Sequence, residues 1–514
     1  MATSFFRPAT LFLAVLLPAC TVGPNFAPPS PWSPASWFRS TPPGPPSLAS
    51  LPVAEPVDPD WWAVFNDPVL TGLMRRVAAS NLDVRVAVLR LAESRAQRGI
   101  TAADQFPMIN GNASYTREKP SNNGAISLIG GGASSVTGGT TTAAASNNGL
   151  GGIQGGFANS SKIPAFDLFQ GGFDASWELD LWGRVRRAVE SADANVDASA
   201  EARRQTLVTS LSELARNYVQ LRGIQDQVRI ARSNLDTARE SVRITGERAR
   251  GGLATDLDVA NASAQLESTA ATLPQFQQQE AQLINAISLL LGAPPGALAT
   301  ELSPPQPVPP VPPRVPVGVP SELVHRRPDI RQAEAQLHAA TADIGAAEAD
   351  FYPKVTLSGS FALQATQFKD LGNWSSRTYG LGPSLTIPIF EGGRLRRTLD
   401  LRKAQQQEAA INYQRVVLGA FHDVDNALIA YCAEQERRDR LAAQVQQARR
   451  ALGLANARFR QGLSDFLEVL TAQRSVLAAE QQQADSTTTV STNLVALYKA
   501  LGGGWESFPA PPPP

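Results

Sequence analysis

Phe169–Leu181 reads FQGGFDASWELDL and Leu207–Val242 reads LVTSLSELARNYVQLRGIQDQVRIARSNLDTARESV, and between the two the period of the apolar residues changes. In the first stretch Phe169, Gly171, Phe173, Ala175, Trp177, Leu179 and Leu181 take alternate positions. Successive side chains of extended backbone point to opposite faces, so this reads as a strand with one apolar face. In the second, Leu207, Leu214, Leu221, Val228, Leu235 and Val242 recur at an unbroken heptad interval, with Leu211 and Tyr218 between them. That is the pattern of a coiled-coil seam. No proline falls between Arg184 and Ala249. The expected helix, 184–250, is therefore on the order of 100 Å long at ~1.5 Å per residue, too long for a compact domain.

Downstream, Gly251-Gly252 reverses the chain, a second helix is expected over 256–291, and Gly292-Ala293-Pro294-Pro295 stops it. After the proline-rich connector 303–325 the programme starts again. A shift of 210 positions maps Gly183-Arg184-Val185-Arg186-Arg187 onto Gly393-Arg394-Leu395-Arg396-Arg397. The same shift maps Gly252-Leu253 onto Gly462-Leu463, and Leu257-Asp258-Val259 onto Leu467-Glu468-Val469. The seam carries over as Val417, Val424, Tyr431, Arg438, Val445 and Leu452, with one polar interruption. An internal duplication explains the length, with one repeat over 67–302 and the other over 326–502.

Each repeat is expected to carry two strands and three helices. In the first they are strands 108–116 and 169–181 and helices 70–105, 184–250 and 256–291. In the second they are strands 354–364 and 379–389 and helices 328–350, 394–460 and 466–500. The strands approach the ~9–11 residues of a tilted transmembrane β-strand. Periodicity alone leaves open a pair of hairpins inside a soluble α+β protein. Four strands cannot close a barrel, and open edges in hydrocarbon leave backbone groups unpaired, so a membrane reading requires chains to pool strands.

Residues 1–19 read as a signal peptide, with Arg7 as its basic residue and Thr10 to Leu17 as a short apolar run. Leu17-Pro18-Ala19-Cys20 resembles the lipobox of bacterial lipoproteins, which makes Cys20 the candidate lipidation site; an ordinary secretory signal with an incidental cysteine is the alternative. Residues 20–66 are then a lipidated, extended lead-in, and 503–514 a disordered tail. Pro120 to Lys162, rich in Gly, Ser, Thr, Asn and Ala, reads as a long exposed loop. Lys+Arg and Asp+Glu are equal at 46 each, so nothing in the balance draws the chain to nucleic acid.

Five motifs occur in order: Cys20-Thr21-Val22-Gly23-Pro24-Asn25-Phe26; Trp61-Trp62 with Phe65-Asn66-Asp67-Pro68; Glu178-Leu179-Asp180-Leu181-Trp182-Gly183-Arg184; Arg326-Arg327-Pro328-Asp329-Ile330; and Pro388-Ile389-Phe390-Glu391-Gly392-Gly393-Arg394. Together they resemble the OprM/NodT branch of the TolC-like outer-membrane factors, outer-membrane efflux lipoproteins, over about Cys20 to Leu501. The resemblance implies an α+β membrane protein and a homotrimer whose four strands per protomer close a twelve-stranded barrel, continuous with a long periplasmic α-helical barrel. It also implies a lipid-anchored outer-membrane location extending into the periplasm, with a periplasmic adaptor protein and an inner-membrane transporter as partners. Carried over by motif, the periplasmic gate falls on Leu467, Glu468 and Thr471, with Asp258 as the repeat partner of Glu468 and Asp465 in the turn. Thr471 stands where relatives often have an aspartate. The adaptor-contact tips fall on Gly252, Leu253, Gly462 and Leu463.

No catalytic constellation is read. His325, His338 and His422 are scattered without acidic or cysteine partners at ligand spacing, so no metal site and no cofactor are expected and the protein is not read as an enzyme. Asp329 reads as a first-turn carboxylate facing a helix dipole. The function expected is the outer-membrane channel of a tripartite, RND-type efflux system, a passive exit duct for small molecules such as drugs. The exit channel of a type I protein or NodT-like oligosaccharide secretion system remains an alternative within the same fold. A periplasmic coiled-coil lipoprotein without a pore remains one outside it.

Overall fold

The computed structural model describes residues 21–30, 32–37, 49–119 and 165–508. The expected signal, Cys20 and the loop Pro120 to Lys162 lie outside these residues. In chain order the main elements are α1 (Pro68–Ser80), α2 (Leu82–Ala103), β1 (Met108–Glu118), β2 (Phe166–Leu179), α3 (Arg184–Arg250) and α4 (Asp256–Leu290). There follow α5 (Pro328–Ala349), β3 (Lys354–Ala365), β4 (Arg377–Thr386), α6 (Arg394–Arg460) and α7 (Phe466–Ala500). Both α3 and α6 have 67 residues, and both α4 and α7 have 35. The chain divides into two units. One comprises Met1–Asn25, Arg98–Ser191 and Thr341–Ala404; the other comprises Phe26–Gln97, Ala192–Ala340 and Gln405–Pro514.

The first unit holds an antiparallel four-stranded sheet in the order β1-β2-β3-β4. Register places Gly111, Phe173, Phe361 and Tyr379 in one row across all four strands, so their side chains share a face. Ile109, Tyr115, Leu381 and Leu385 lie on that face and are exposed. The opposite face carries Asn110, Asn112, Asp174, Ser358, Ser360 and Ser384, and both asparagines donate to Asp174, at 3.3 and 2.8 Å. At Gly172 a Cβ would approach the Phe361 carbonyl oxygen to 2.3 Å, so only glycine fits there.

Two strand boundaries correct the sequence reading. The strand expected over 169–181 starts at Phe166, opposite Glu118, and ends at Leu179. Asp180 turns out of the sheet because its carboxylate accepts from the Arg186 N–H at 2.9 Å, in the first turn of α3. The strand expected over 379–389 is Arg377–Thr386. Thr386 pairs with Lys354, the first residue of β3, so Ile387 and Ile389 have no strand to pair with despite their alternation.

The same unit holds the start of the lead-in. Gly23 and Gly183 have φ of +90° and +86°. A Cβ on Gly23 would lie 2.4 Å from Gly345 Cα, and one on Gly183 would lie 2.9 Å from Thr21 Cγ2. Arg187 donates to the carbonyls of Val22 and Gly23 and, at 2.7 Å, to Asn25 Oδ1. Trp182 stacks on Tyr352 and donates to the Pro353 carbonyl at 2.9 Å. Two of the motifs therefore hold Thr21–Asn25 against the turn between β2 and α3.

The second unit is helical around a large apolar core. The seam residues Leu207, Leu211, Leu214, Tyr218 and Leu221 are buried with Val417, Val424 and Tyr431, as are Trp61, Trp62 and Phe65. One 18-residue window in α6 reaches a mean hydropathy of 1.2, enough by length and composition to cross a membrane, but Val417, Val424, Leu428 and Tyr431 of that helix belong to this core. The helix expected over 70–105 is two helices. Asn81 has ψ of 130° and its carbonyl side-chain oxygen accepts from Val84 N, while its amide and the Ser80 hydroxyl cap the Leu290 and Leu291 carbonyls at 2.8 Å. The tail expected to be disordered over 503–514 is ordered as far as Phe508. Gly503 and Gly504 are buried, Phe508 stacks on Trp62, and Arg326 pairs with Glu506 at 3.0 Å. Residues 509–514 lie outside the described residues.

Candidate functional site

Two positions organise the second unit. Asp67 caps α1 by accepting from Val69 N and Leu70 N, and its other oxygen accepts from the Tyr218 hydroxyl at 2.5 Å. Burial, with the Asp67 hydrogen bond, pushes the Tyr218 phenol well above its ordinary range. Arg222, fully buried, donates to that hydroxyl, to Gln225 and to the carbonyls of Leu302 and Pro304. The Phe65-Asn66-Asp67-Pro68 motif is thus a polar anchor for the helix layer. Arg327 of the Arg326-Arg327-Pro328-Asp329-Ile330 motif donates to the Ala500 carbonyl at 2.9 Å, capping α7, and forks onto Asp329. Asp329 therefore serves a structural ion pair as well as its own helix start.

The helix reversals are where the sequence places function. Gly252 N donates to Ala249 O and Leu253 N to Arg248 O; Gly462 N donates to Phe459 O and Leu463 N to Arg458 O. Both are Schellman caps, and Gly252 and Gly462 take φ of +72° and +75°, which glycine adopts without strain. The turn leaves Leu253 and Leu463 71% and 66% exposed. Leu257 and Leu467, at the first turn of α4 and α7, are exposed as well.

The carboxylates differ in their duties. Asp258 accepts from Thr255 N at 2.9 Å and from the Thr255 hydroxyl at 2.8 Å, closing a capping box. Asp465 caps α7 by accepting from Glu468 N at 3.2 Å. Glu468 has no such cap; its Oε2 lies 3.9 Å from Arg458 Nη1 and it is half-exposed. Thr471 returns its hydroxyl to the Leu467 carbonyl at 2.8 Å. Of the five expected gate residues, the structure gathers Leu467, Glu468, Thr471 and Asp465 on one turn of α7 and its start, and places Asp258 on α4. Along α3, Arg243 bridges Glu240 and Glu247 and, chiefly by its hydrogen bond, holds the Glu240 carboxyl below the usual range.

Beneath the exposed leucines lies a small core that sequence reading missed: Phe459, Phe466, Val469, Leu470 and Ala262. Phe459 and Phe466 meet at 5.6 Å and 58°. Arg248 crosses from α3, its guanidinium 4.3 Å from the Phe459 ring centre and its Nη1 donating to the Phe459 carbonyl at 2.7 Å. The only signal for this in the sequence is that Phe459 and Phe466 break the repeat, standing opposite Ala249 and Asp256 at the 210-position shift. Among the described residues, no group of three or more His, Cys, Asp or Glu side chains converges.

Comparison with known proteins meets this geometry along nearly the whole chain. OpmQ of Pseudomonas aeruginosa, a pyoverdine export outer membrane protein, is 34% identical over 447 residues, covering 87% of this chain and 88% of its own. The outer membrane protein OprJ of the same organism is 31% identical over 504 residues, covering 98% and 96%. The solved outer-membrane channel OprN superposes with a TM-score of 0.81 at 34% identity, covering 95% of this chain and all of its own. The outer membrane efflux protein model matches residues 73–293 and 319–503, and the chain belongs to that family.

Proposed function

We propose that the chain is the outer-membrane component of a tripartite efflux system, a passive duct through which small molecules leave the cell. The observation that carries this reading is the sheet of the first unit, apolar and exposed on one face, polar on the other, with β1 and β4 unpaired at its edges. Water on both faces would leave the row Phe173, Phe361 and Tyr379 exposed at a cost of roughly 25 cal/mol for each Å² of apolar surface. Hydrocarbon outside and water inside satisfies both faces. The edges are satisfied when β4 of one protomer pairs with β1 of the next, and three chains of four strands make a twelve-stranded barrel.

The helices support the same closure. β1 follows directly on α2 and β4 leads directly into α6, so the chain segments at the two sheet edges continue into these helices. On α2, Leu82, Val86 and Leu89 are exposed at helical spacing; on α6, Ile411, Leu418 and Ile429 are. A second copy would cover each stripe, continuing the seam from chain to chain. The internal duplication then provides the near-equivalent helix pairs of a hollow α-barrel. Lipid on Cys20 anchors the lead-in, which Thr21–Asn25 carries to the β2–α3 turn.

In this reading the carboxylates and leucines of α7 face a narrowing at the periplasmic end, with Glu468, the one not used as a helix cap, set 3.9 Å from Arg458. The tips Gly252-Leu253 and Gly462-Leu463 offer apolar knobs to a periplasmic adaptor, and an inner-membrane transporter supplies the energy. Deleting the gene and measuring susceptibility to a panel of drugs, dyes and metal ions tests the role. Sensitisation to at least one compound, reversed by the wild-type gene, is expected. Unchanged susceptibility throughout would remove efflux and leave secretion of a protein or oligosaccharide as the reading of the same duct.

A further inference from the structure

At the end of the sheet away from the helices, the apolar face is topped by two arginines. Alternation from Gly111 and Tyr379 puts Arg117 of β1 and Arg377 of β4 on that face, with Asp167 of β2 opposite Arg117. Asp167 is shared: it accepts from the Tyr115 hydroxyl at 2.9 Å and lies 3.5 Å from Arg117, whose side chain is 66% exposed. Arg377 is exposed, with its guanidinium 4.7 Å from the centre of the exposed Trp374 ring and one N–H given to the Trp374 carbonyl at 2.8 Å. Among the described residues it has no carboxylate partner, so most of its donors are left to another acceptor. Below Arg117 on the same face lies an open groove of about 400 Å³, where Gly111, Ala113 and Gly171 present little or no side chain and Phe173, Phe361 and Leu363 rise beside them. A Cβ on Gly171 would meet nothing within 4 Å.

We infer that each seam between protomers binds one molecule of the outer leaflet's phosphorylated, multiply acylated glycolipid, lipopolysaccharide. A phosphate is held between Arg377 of one chain and Arg117 of the next, and an acyl chain lies in the groove below Arg117. The site rests on the barrel closure proposed above, which sets β4 beside β1 of the next chain and turns the apolar face to lipid. The sheet edges then bring together two arginines that stand apart within one chain. Their height fits a headgroup. From Leu385 to Arg377 is roughly 26 Å along β4 at about 3.3 Å per residue, or roughly 20 Å of depth at a tilt of about 40°, most of an apolar band ~25 Å tall. The guanidinium fork matches phosphate oxygens, and the Trp374 ring covers one face of the Arg377 fork while leaving its edge open. Within hydrocarbon the groove selects a chain by contact, since Phe173 and Phe361 offer it more neighbouring atoms than a flat wall does. The leaflet follows from direction: the helices leave the other end of the sheet, so the arginines sit on the side away from the periplasm. A lipid with several chains and more than one phosphate engages both arginines and the groove at once.

The test is native mass spectrometry of full-length trimers in mild detergent, titrated with purified lipid A. Wild-type trimers should take up to three molecules, one for each seam. Lipid A stripped of its phosphates, and phosphatidylglycerol, should each bind about tenfold more weakly or worse, as loss of one charge-assisted hydrogen bond would give. Arg117→Ala and Arg377→Ala should each weaken lipid A by about tenfold and leave the stripped lipid unaffected. Arg377→Lys, which keeps the charge without the fork, should fall between. Gly171→Leu, which fills the groove and leaves the arginines in place, should weaken both forms alike. Equal binding of lipid A and its stripped form by intact wild-type trimers, or unchanged lipid A binding in both alanine variants, overturns the site. Phosphatidylglycerol bound as tightly as lipid A reduces it to a general affinity for anionic lipid and overturns it as well. Wild-type chains that never form trimers remove the barrel closure, and the seam site with it.

Discussion

Placing an arginine at residue 361 and, separately, at residue 360 sets the two faces of the sheet against each other at one depth. Phe361 lies on the apolar face opposite Phe173 and Tyr379; Ser360 lies on the polar face opposite Asp174 and Gly380. At about 3.3 Å per residue, Phe361 is roughly 23 Å along the strand from Lys354, and a tilt of about 40° makes that roughly 18 Å of depth in an apolar band ~25 Å tall. A charge costs ~2–4 kcal/mol at the midplane and ~0–1 at the interface, so at this depth it costs on the order of 1–3 kcal/mol per chain, or about 3–9 kcal/mol for three independent copies, a large share of the whole stability of many proteins. Ser360→Arg instead meets water and a carboxylate across the strand, where an opposite-charge pair contributes ~0.2–1 kcal/mol. The assay is the amount of folded trimer in the outer membrane, and the yield on refolding into lipid vesicles. Phe361→Arg should lower both more than tenfold, while Ser360→Arg stays close to wild type. Equal yields, or a larger loss in Ser360→Arg, would refute the assignment of the faces and with it the barrel.

Three further outcomes are expected. Asp67→Ala removes the α1 cap, worth ~0.5–2 kcal/mol, and takes the carboxylate acceptor from the buried Tyr218 hydroxyl, worth ~1–3 kcal/mol, so trimers should melt well below wild type. Asp67→Asn keeps the cap acceptor but sets an amide N–H in place of the oxygen that accepts from Tyr218, so it should melt between Asp67→Ala and wild type; equal melting of the two variants would show that the cap does not hold the layer. Tyr431, pushed up to about 12 chiefly by burial, keeps its proton in the fold after the unfolded chain has lost it. The folded pKa is raised, so its contribution is intact below the ordinary value of 10 and is lost as pH climbs to about 12. Tyr431→Phe should move the alkaline unfolding midpoint upward, read by tyrosinate absorbance and circular dichroism, and an unmoved midpoint would exclude Tyr431 as the group that fails.

The long elements were legible because their signals are local and repeated. The seam Leu207 to Val242 and its counterpart gave α3 and α6, and glycine and proline punctuation gave their ends. What was not legible depends on partners distant in sequence. Asn81 breaks a helix because its amide meets the end of α4, 209 residues away. Ile387 and Ile389 alternate like strand residues but extend past the last residue of β3. Trp505 and Phe508 look like part of a proline-rich tail until Arg204 and Trp62 are placed against them. At the tip, motif matching treated Asp258 and Glu468 as equivalent, whereas Thr255, three residues before Asp258, makes one a capping residue, and Asp465 leaves the other free. Arg248 was passed over because its target is a backbone carbonyl, which no side-chain pattern reveals.

The central claim, a trimeric duct narrowed at its periplasmic end, is tested most directly by reconstituting purified full-length protein into planar bilayers. The account predicts trimers that insert and conduct in small steps as wild type and in larger, longer-lived steps as Glu468→Ala. Inserted trimers that never conduct, in either form, would contradict it.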